Sequence, residues 1–512
     1  MIKAIRVADH RMSRIVAPKR AFSRLLLLGL GFGAALTAAA DGREGLQLYS
    51  DPTGIVGVFN SAGDVDPNNP FFQSLGTNGR SCATCHVASQ AMSISVAEIQ
   101  VRFARTHGSD PLFAPIDGAN CPDASQGNAA AHSLLLTHGL IRIGLALPAA
   151  AQFTLSVVHD PYGCAIMPNP AGGQPIVSVY RRPLATANLS FLSTIMFDGR
   201  ETLLPLNAEA TFVPNLVSDL THQALDAITI HAQAATPPAD GQLADIVNFE
   251  LGLFAAQARD DAAGSLRADG ARGGPAYLAN QEYYPGINDS LGADPEGAAF
   301  NAAAMSIFAP WAQLGYGDGN VEPREQSRIA ARRAIAAGET LFNSAPVHIS
   351  NVRGLNDNPA LDKPTTFVGT CTTCHDTPNT GNHSFPLPLD IGTAHSRLSS
   401  LEPDANIAAG LAELSVPDLP VYLISGCANP FNPGQQVSFY TTDPGKALIT
   451  GLCSDFNRGK GPILRGLAAR APYFHNGAAA NLKELVNFYN QRFQMALTED
   501  QKRDLVEFLN SL

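Results

Sequence analysis

Two short strings of this chain carry redox-competent residues at a fixed spacing: Cys82-Ala83-Thr84-Cys85-His86 and Cys371-Thr372-Thr373-Cys374-His375. C-x-x-C-H is the attachment pattern of a c-type haem. The two thiols add across the porphyrin vinyl groups, and the histidine that follows reaches the iron. A zinc or redox C-x-x-C is the alternative use of such cysteines. Two strings, each followed at once by His, in a chain of eight cysteines favour haem. The reading is two covalent c-type haems, with Cys82, Cys85, Cys371 and Cys374 as attachment points and His86 and His375 as iron ligands.

Covalent haem attachment belongs to an oxidising, extracytoplasmic compartment, and the N-terminus agrees. Lys3, Arg6, Arg11, Arg14, Lys19, Arg20 and Arg24 form a basic region, the apolar run Leu25 to Leu36 follows, and Ala38-Ala39-Ala40 offers a cleavage site. Residues 1–40 therefore read as an export signal cleaved near Ala40. The run is short for a bilayer span and carries Gly29, Gly31 and Gly33. A periplasmic protein with no membrane span after cleavage is expected. The remaining cysteines, Cys121, Cys164, Cys427 and Cys453, allow three pairings or four free thiols. Local pairing, Cys121 with Cys164 and Cys427 with Cys453, keeps each bridge within one half of the chain and is the expected one. Beyond residue 40 the chain has 27 basic and 44 acidic residues, a net charge of −17. That balance argues against a nucleic-acid partner and favours a basic electron-transfer partner.

The strings lie far apart and must be carried by two haem-bearing halves. The expected organisation is an N-terminal haem domain at 41–263, a linker at 264–325 and a C-terminal haem domain at 326–512. The linker text is rich in Gly and Pro (GARGGPAY, YYPGIND, LGADPEG). Helical patterns run over Val96 to Thr106, Leu243 to Arg259, Arg328 to Leu341 and Leu482 to Phe493. Phe153 to Val158 and Ile176 to Tyr180 have strand character and are expected to form one small hairpin. The expected fold class is mainly α: two c-type cytochrome domains with long loops and a small β-hairpin element.

Three passages resemble the bacterial diheme cytochrome c peroxidase family, which includes the MauG branch. Gly461-Pro462-Ile463-Leu464-Arg465-Gly466-Leu467 running into Ala471-Pro472-Tyr473-Phe474-His475-Asn476-Gly477 is similar to the family's LRN…APYFHDG segment. Met196-Phe197-Asp198-Gly199-Arg200 resembles its FWDGR, and Leu220-Thr221-His222-Gln223-Ala224 its LxxQA. The order matches, and the resemblance covers essentially the whole chain after residue 40, with 122–180 and 400–460 looking like insertions. The resemblance implies a peroxidatic N-terminal haem on His86 and a C-terminal haem on His375 that delivers electrons or stores an oxidising equivalent.

The same resemblance directs attention to further residues. The second haem's distal ligand is Met in the peroxidases and Tyr in the MauG branch; Tyr489 holds that place here. On a helix Leu482, Leu485, Val486, Tyr489 and Phe493 share one face. Met495 lies about 220° from Leu482 on that wheel at about 100° per residue and is expected to point elsewhere. Over the peroxidatic haem the family holds a Gln and an acid/base Glu. Gln223 matches the first, and Gln233 stands where the Glu would be, with His231 close by. An amide cannot shuttle a proton, whereas an imidazole can. His231 is expected either to act as the acid/base group or to ligate the iron and close the site; His222 is a weaker candidate of the same kind. The family's inter-haem Trp is Phe197, and the sole tryptophan, Trp311, lies in the linker. The Asn that ligates calcium in the family becomes Arg182, so calcium, though possible, is doubtful.

Two enzymatic functions compete. One is a peroxidase that reduces hydrogen peroxide with electrons from a small cytochrome c or cupredoxin. The other is a MauG-like oxidase that modifies a protein or organic substrate through high-valent iron. A diheme electron carrier without peroxidase activity is the non-enzymatic reading. Dioxygen chemistry on a polyisoprenoid, as in distant diheme relatives, has no specific residue in its favour.

Overall fold

A computed structural model describes residues 43–204, 209–292, 294–315, 322–378, 380, 381, 388–395, 414, 416–429 and 431–512. The expected export signal at 1–40 lies outside them. Among the described residues no helix is long and apolar enough to cross a membrane.

Helices begin and end where the local chemistry requires. Helix α1 (Val96–Thr106) starts with Ser95 Oγ accepting the Glu98 amide at 3.2 Å and stops at His107, whose φ is 52°. Helix α2 (Glu209–Asp226) runs straight into a π-helical turn, Ala227–His231. Helix α3 (Asp240–Gly252) follows, then α4 (Pro323–Ser344), α5 (Leu482–Arg492) and α6 (Glu499–Asn510). Helices α4 and α6 pack closely because Gly338 lacks a side chain; a Cβ there would lie 2.0 Å from the Asp504 carbonyl oxygen. Trp311, in the stretch expected to be a linker, is fully buried, stacked on Phe308 at 5.0 Å with Nε1 donating to the Ala268 carbonyl.

The chain is not mainly α. It is 33% helical and 20% strand, and its described strands form four sheets. The first sheet has the order β1 (Leu46–Asp51), β2 (Gly54–Asn60), β7 (Leu253–Asp260), β8 (Gly264–Ser265). The helix expected over Leu243 to Arg259 ends at Gly252. The rest becomes β7, antiparallel to β2 with Asn60 opposite Leu253 and Gly54 opposite Asp260. A partner nearly two hundred residues away, burying Ala255 with Val56 and Val58 on one face and Ala256 with Phe59 on the other, overrides the local helical preference.

The expected hairpin is also corrected. Both segments are strands, β4 (Thr154–His159) and β6 (Ile176–Arg181), but they do not pair with each other. Strand β6 lies between β3 (Ile141–Ala146) and β5 (Ile166–Met167). Strand β4 pairs instead with β11 (Val421–Asn429), which pairs with β12 (Asn432–Thr441). A two-stranded sheet, β9 (Val347–Ser350) with β10 (Thr366–Gly369), completes the set. The two insertion-like segments therefore fold on each other. Phe153, Phe439 and Phe456 interlock with centroids at 4.6 and 4.9 Å, and Tyr422 donates its hydroxyl to the Ser178 carbonyl at 2.5 Å. Disulfides Cys121–Cys164 and Cys427–Cys453 close this region with the expected pairing.

One buried ion network joins the region to the rest. Arg181, at the end of β6, grips Asp443 with two parallel bonds (2.6 and 2.9 Å) and Asp198 at 2.5 Å. Asp198 also takes Arg200 at 2.8 Å. Both acids and the central arginine are withdrawn from water, with Asp198 at 0% exposure. Breaking a buried pair costs about 3–5 kcal/mol when a charge is left uncompensated. Asp443→Asn should destabilise the protein towards the lower end of that range, since Asp198 remains, and urea unfolding should show a lowered midpoint. An unchanged midpoint would show that the clasp contributes nothing to stability.

Candidate functional site

Each C-x-x-C-H string folds as one tight turn. In the first, Cys82–Thr84 is a single 3₁₀ turn; the Ser81 amide donates to Thr84 Oγ1 at 3.0 Å and the His86 amide to the Cys82 carbonyl at 3.0 Å. The second repeats the pattern over Cys371–Thr373, with Thr370 to Thr373 Oγ1 at 2.9 Å and His375 to Cys371 at 2.8 Å. Both thiols and the imidazole are thereby brought to the same short stretch of surface. All four cysteines are free. Burial pushes the Cys85 thiol up to about 11 and the Cys374 thiol up to about 12, so they stay protonated. Burial holds His86 and His375 down at about 4, so both rings are neutral. His86 Nδ1 lies 3.2 Å from the Met92 carbonyl, which leaves Nε2 as the lone-pair nitrogen.

Neither string makes a converging metal-ligand set. Among the described residues the His/Cys/Asp/Glu group whose ligand atoms all lie within 4.8 Å of one another is Glu201, His222 and Asp226. Two thiols and one imidazole without a convergent fourth ligand among the described residues do not fit a four-coordinate zinc–thiolate site. Each turn instead lines its own cavity.

The first cavity, about 180 Å³, is lined by Cys82, Cys85, His86, Asp117, Gln223 and His231 among others. His231 is the last residue of the π-helical turn, a local widening common at functional sites. Its Nδ1 is hydrogen-bonded to the Asp117 carboxylate, and Arg80 Nη1 forms an ion pair with the same carboxylate. Arg80 is fixed in turn by the carbonyls of Pro111 and Leu112, each at 2.8 Å. Burial works against the charge of Asp117, but Arg80 and His231 outweigh it and hold the carboxyl below its ordinary range. The outcome is an imidazole oriented by a buried carboxylate, the arrangement that positions a general base. Gln223 shares the cavity. Gln233 does not: it is exposed, has a φ of 57°, and its Oε1 accepts from Asn78. His222 is exposed and bonded to Glu201 at 2.7 Å.

The second cavity, about 250 Å³, is lined by Cys371, Cys374, His375, Tyr489, Phe493 and Met495 among others. Tyr489 faces it from α5, as the helical wheel expects, and burial raises its hydroxyl above the ordinary value. Met495 lines it too, contrary to the wheel. Helix α5 ends at Arg492, and Gln494 turns back with a φ of 49°, so the helical period no longer governs Met495.

Five residues line both cavities: Arg182, Pro183, Leu184, Phe197 and Lys460. Phe197 stands between Arg181, whose guanidinium lies 5.0 Å over its ring, and His475, stacked on it at 4.4 Å and 13°. Gly459 makes room for the ring, since a Cβ there would come within 2.3 Å of it. Arg182 donates to the carbonyls of Ile94 at 2.7 Å and Arg470 at 2.9 Å. The Arg470 carbonyl thus accepts from a guanidinium.

Sequence reasoning missed Arg80, Asp117, Gly459 and Lys460. Arg80 and Lys460 adjoin recognised strings, which was the available signal. Asp117 has none, because only folding carries it to His231.

No protein-family profile matches the chain. Among curated proteins it is 35% identical over 98 residues to the cytochrome-c peroxidase IdrP2 of Denitromonas iodatirespirans, a match spanning 18% of this chain and 25% of that protein. Among solved structures it aligns with one described as a MauG-like protein associated with microbial copper homeostasis. That alignment covers 87% of each chain at 13% identity, with a TM-score of 0.32.

Proposed function

We propose that this chain is a periplasmic diheme c-type oxidoreductase of the cytochrome c peroxidase and MauG kind. It reacts with hydrogen peroxide at the first cavity and passes electrons or oxidising equivalents by way of the second. The observation that carries the reading is the pairing of two C-x-x-C-H turns with two cavities that share one wall. The short match to a protein named a cytochrome-c peroxidase supports it. The residues present fit haem: unpaired, protonated thiols available for thioether formation, neutral imidazoles with a free lone pair, and apolar cavities above them.

When bound, each haem supplies a redox-active iron. The protein supplies the rest. His86 and His375 would hold the irons, and Cys82, Cys85, Cys371 and Cys374 would tether the cofactors to the two turns. At the first cavity His231, steered by Asp117 and Arg80, takes a proton from one peroxide oxygen and returns it to the other, while Gln223 positions the substrate. At the second cavity Tyr489 or Met495, which line it together with His375, would be the further residue to hold the cofactor. Phe197 and His475 bridge the space between. Electrons come from a small cytochrome c or cupredoxin, steered by the acidic surface; in the MauG-like variant of the reading, which Tyr489 favours, a protein or organic substrate is oxidised instead.

A pyridine haemochrome assay should give two haems per chain, with Cys82→Ala/Cys85→Ala and Cys371→Ala/Cys374→Ala each leaving one. A single haem in the wild type would sink the reading. His231→Ala should slow the reaction with peroxide about 10²- to 10⁴-fold with haem content intact. Stopped-flow traces as fast as wild type would remove its acid/base role, and faster traces with a low-spin to high-spin change would mark His231 as a ligand. Electron paramagnetic resonance should separate the two candidates at the second cavity. Loss of the low-spin signal in Tyr489→Phe, with Met495→Leu unchanged, is the expected result; the reverse would make the site His/Met.

A further inference from the structure

The wall between the cavities carries three cations that, among the described residues, pair with no carboxylate. Lys460 is only 6% exposed and lines both cavities. Arg182 lines both as well, and Arg470 lines the second. The guanidinium bonds go to backbone carbonyls: Arg182 to Ile94, His138 and Arg470, and Arg470 to Ile463. Nε of Arg470 is buried without a partner. Burial and the neighbouring Arg470 charge push Lys460 down to about 8, and the same two causes push Arg182 down to about 9. The contrast with Arg181 is informative. One position earlier in the chain, it is given two buried aspartates, which hold its pKa above the ordinary arginine value. Buried charges are normally paired, so a fold that neutralises Arg181 with two acids and gives its cavity-facing neighbours none leaves the counter-charge to whatever fills the cavities.

We propose that Lys460, flanked by Arg182 and Arg470, binds carboxylates of the occupants of both cavities and couples the two electrostatically. The proposal rests on the two-haem reading above, because a haem carries two propionate carboxylates on one edge. An ammonium has three donors and no acceptor, so one group facing both cavities serves a carboxylate from each side. Its positive charge then raises the reduction potential of both irons together, and an oxidising equivalent placed on one cofactor is felt by the other through the shared cation.

The test is a spectroelectrochemical titration of the purified holoprotein. Lys460→Met should shift both midpoint potentials to more negative values, with the haemochrome assay still giving two haems, whereas Lys460→Arg should leave both near wild type. If Lys460→Met does not accumulate, Arg182→Gln removes the other cation that faces both cavities and should shift both potentials in the same direction. Wild-type potentials that do not move with added inorganic phosphate identify the cofactors' own carboxylates; phosphate-dependent potentials would mark a free anion from solvent and overturn the proposal. Two haems with unmoved potentials in the neutral variants, or a shift confined to one haem, would overturn it as well. Absence of two haems in the wild type would overturn the proposed function itself.

Discussion

Arg181 and its two aspartates are the constraint on which the rest of the molecule depends. A guanidinium withdrawn from water is tolerable only when its donors are met by charge, and here they are met from two distant places: Asp198 in the Phe-Asp-Gly-Arg turn and Asp443 just after β12. The first sets Phe197, one residue before, against the cavities. The second ties the sheet formed by the two insertion-like segments to the body. Arg182, the next residue, is thereby delivered to the wall the cavities share. A single buried network thus fixes the aromatic ring, the guanidinium of Arg182 and the added β region in one stroke.

The wall itself has a division of labour. Its aromatic part is Phe197 stacked on His475, slotted against the bare backbone of Gly459. Phenylalanine is harder to oxidise than tryptophan, so the ring serves as a spacer of fixed thickness more than as a relay. The wall's polar part, Arg182 and Lys460, is cationic with no carboxylate partner among the described residues, and electrostatics there acts on both sides at once because both side chains face both cavities. The two cofactors of the proposed reading would share this one polar environment.

The first cavity shows how backbone geometry and charge combine. The widened turn at the end of α2 lets His231 reach the cavity, and the Asp117 carboxylate then fixes the ring by Nδ1. Asp117 keeps its charge in a buried place because Arg80 lies beside it, and Arg80 is two residues from the first cysteine. The first C-x-x-C-H turn and His231 are therefore mechanically connected. Gln233, two residues beyond the widened turn, has already left for the surface.

What the sequence determined by itself is local. The two C-x-x-C-H turns need only six consecutive residues each, cap included, and their hydrogen bonds follow from those residues. The same holds for α1, α5 as far as Arg492, and the disulfide partners, which lie close enough in the chain to find each other. Tyr489 was legible because the helical period holds through it; Met495 was not, because the helix stops first. The tertiary structure alone decided whatever depends on pairings between distant segments. Strand β7 left its helical pattern for β2, β4 chose β11 over its neighbour β6, and Asp117 met His231 across more than a hundred residues. Strand propensity says that a segment will pair but carries no address for its partner, and a buried charge in a sequence does not say which distant residue will neutralise it. Both questions are settled only when burial brings the candidates together.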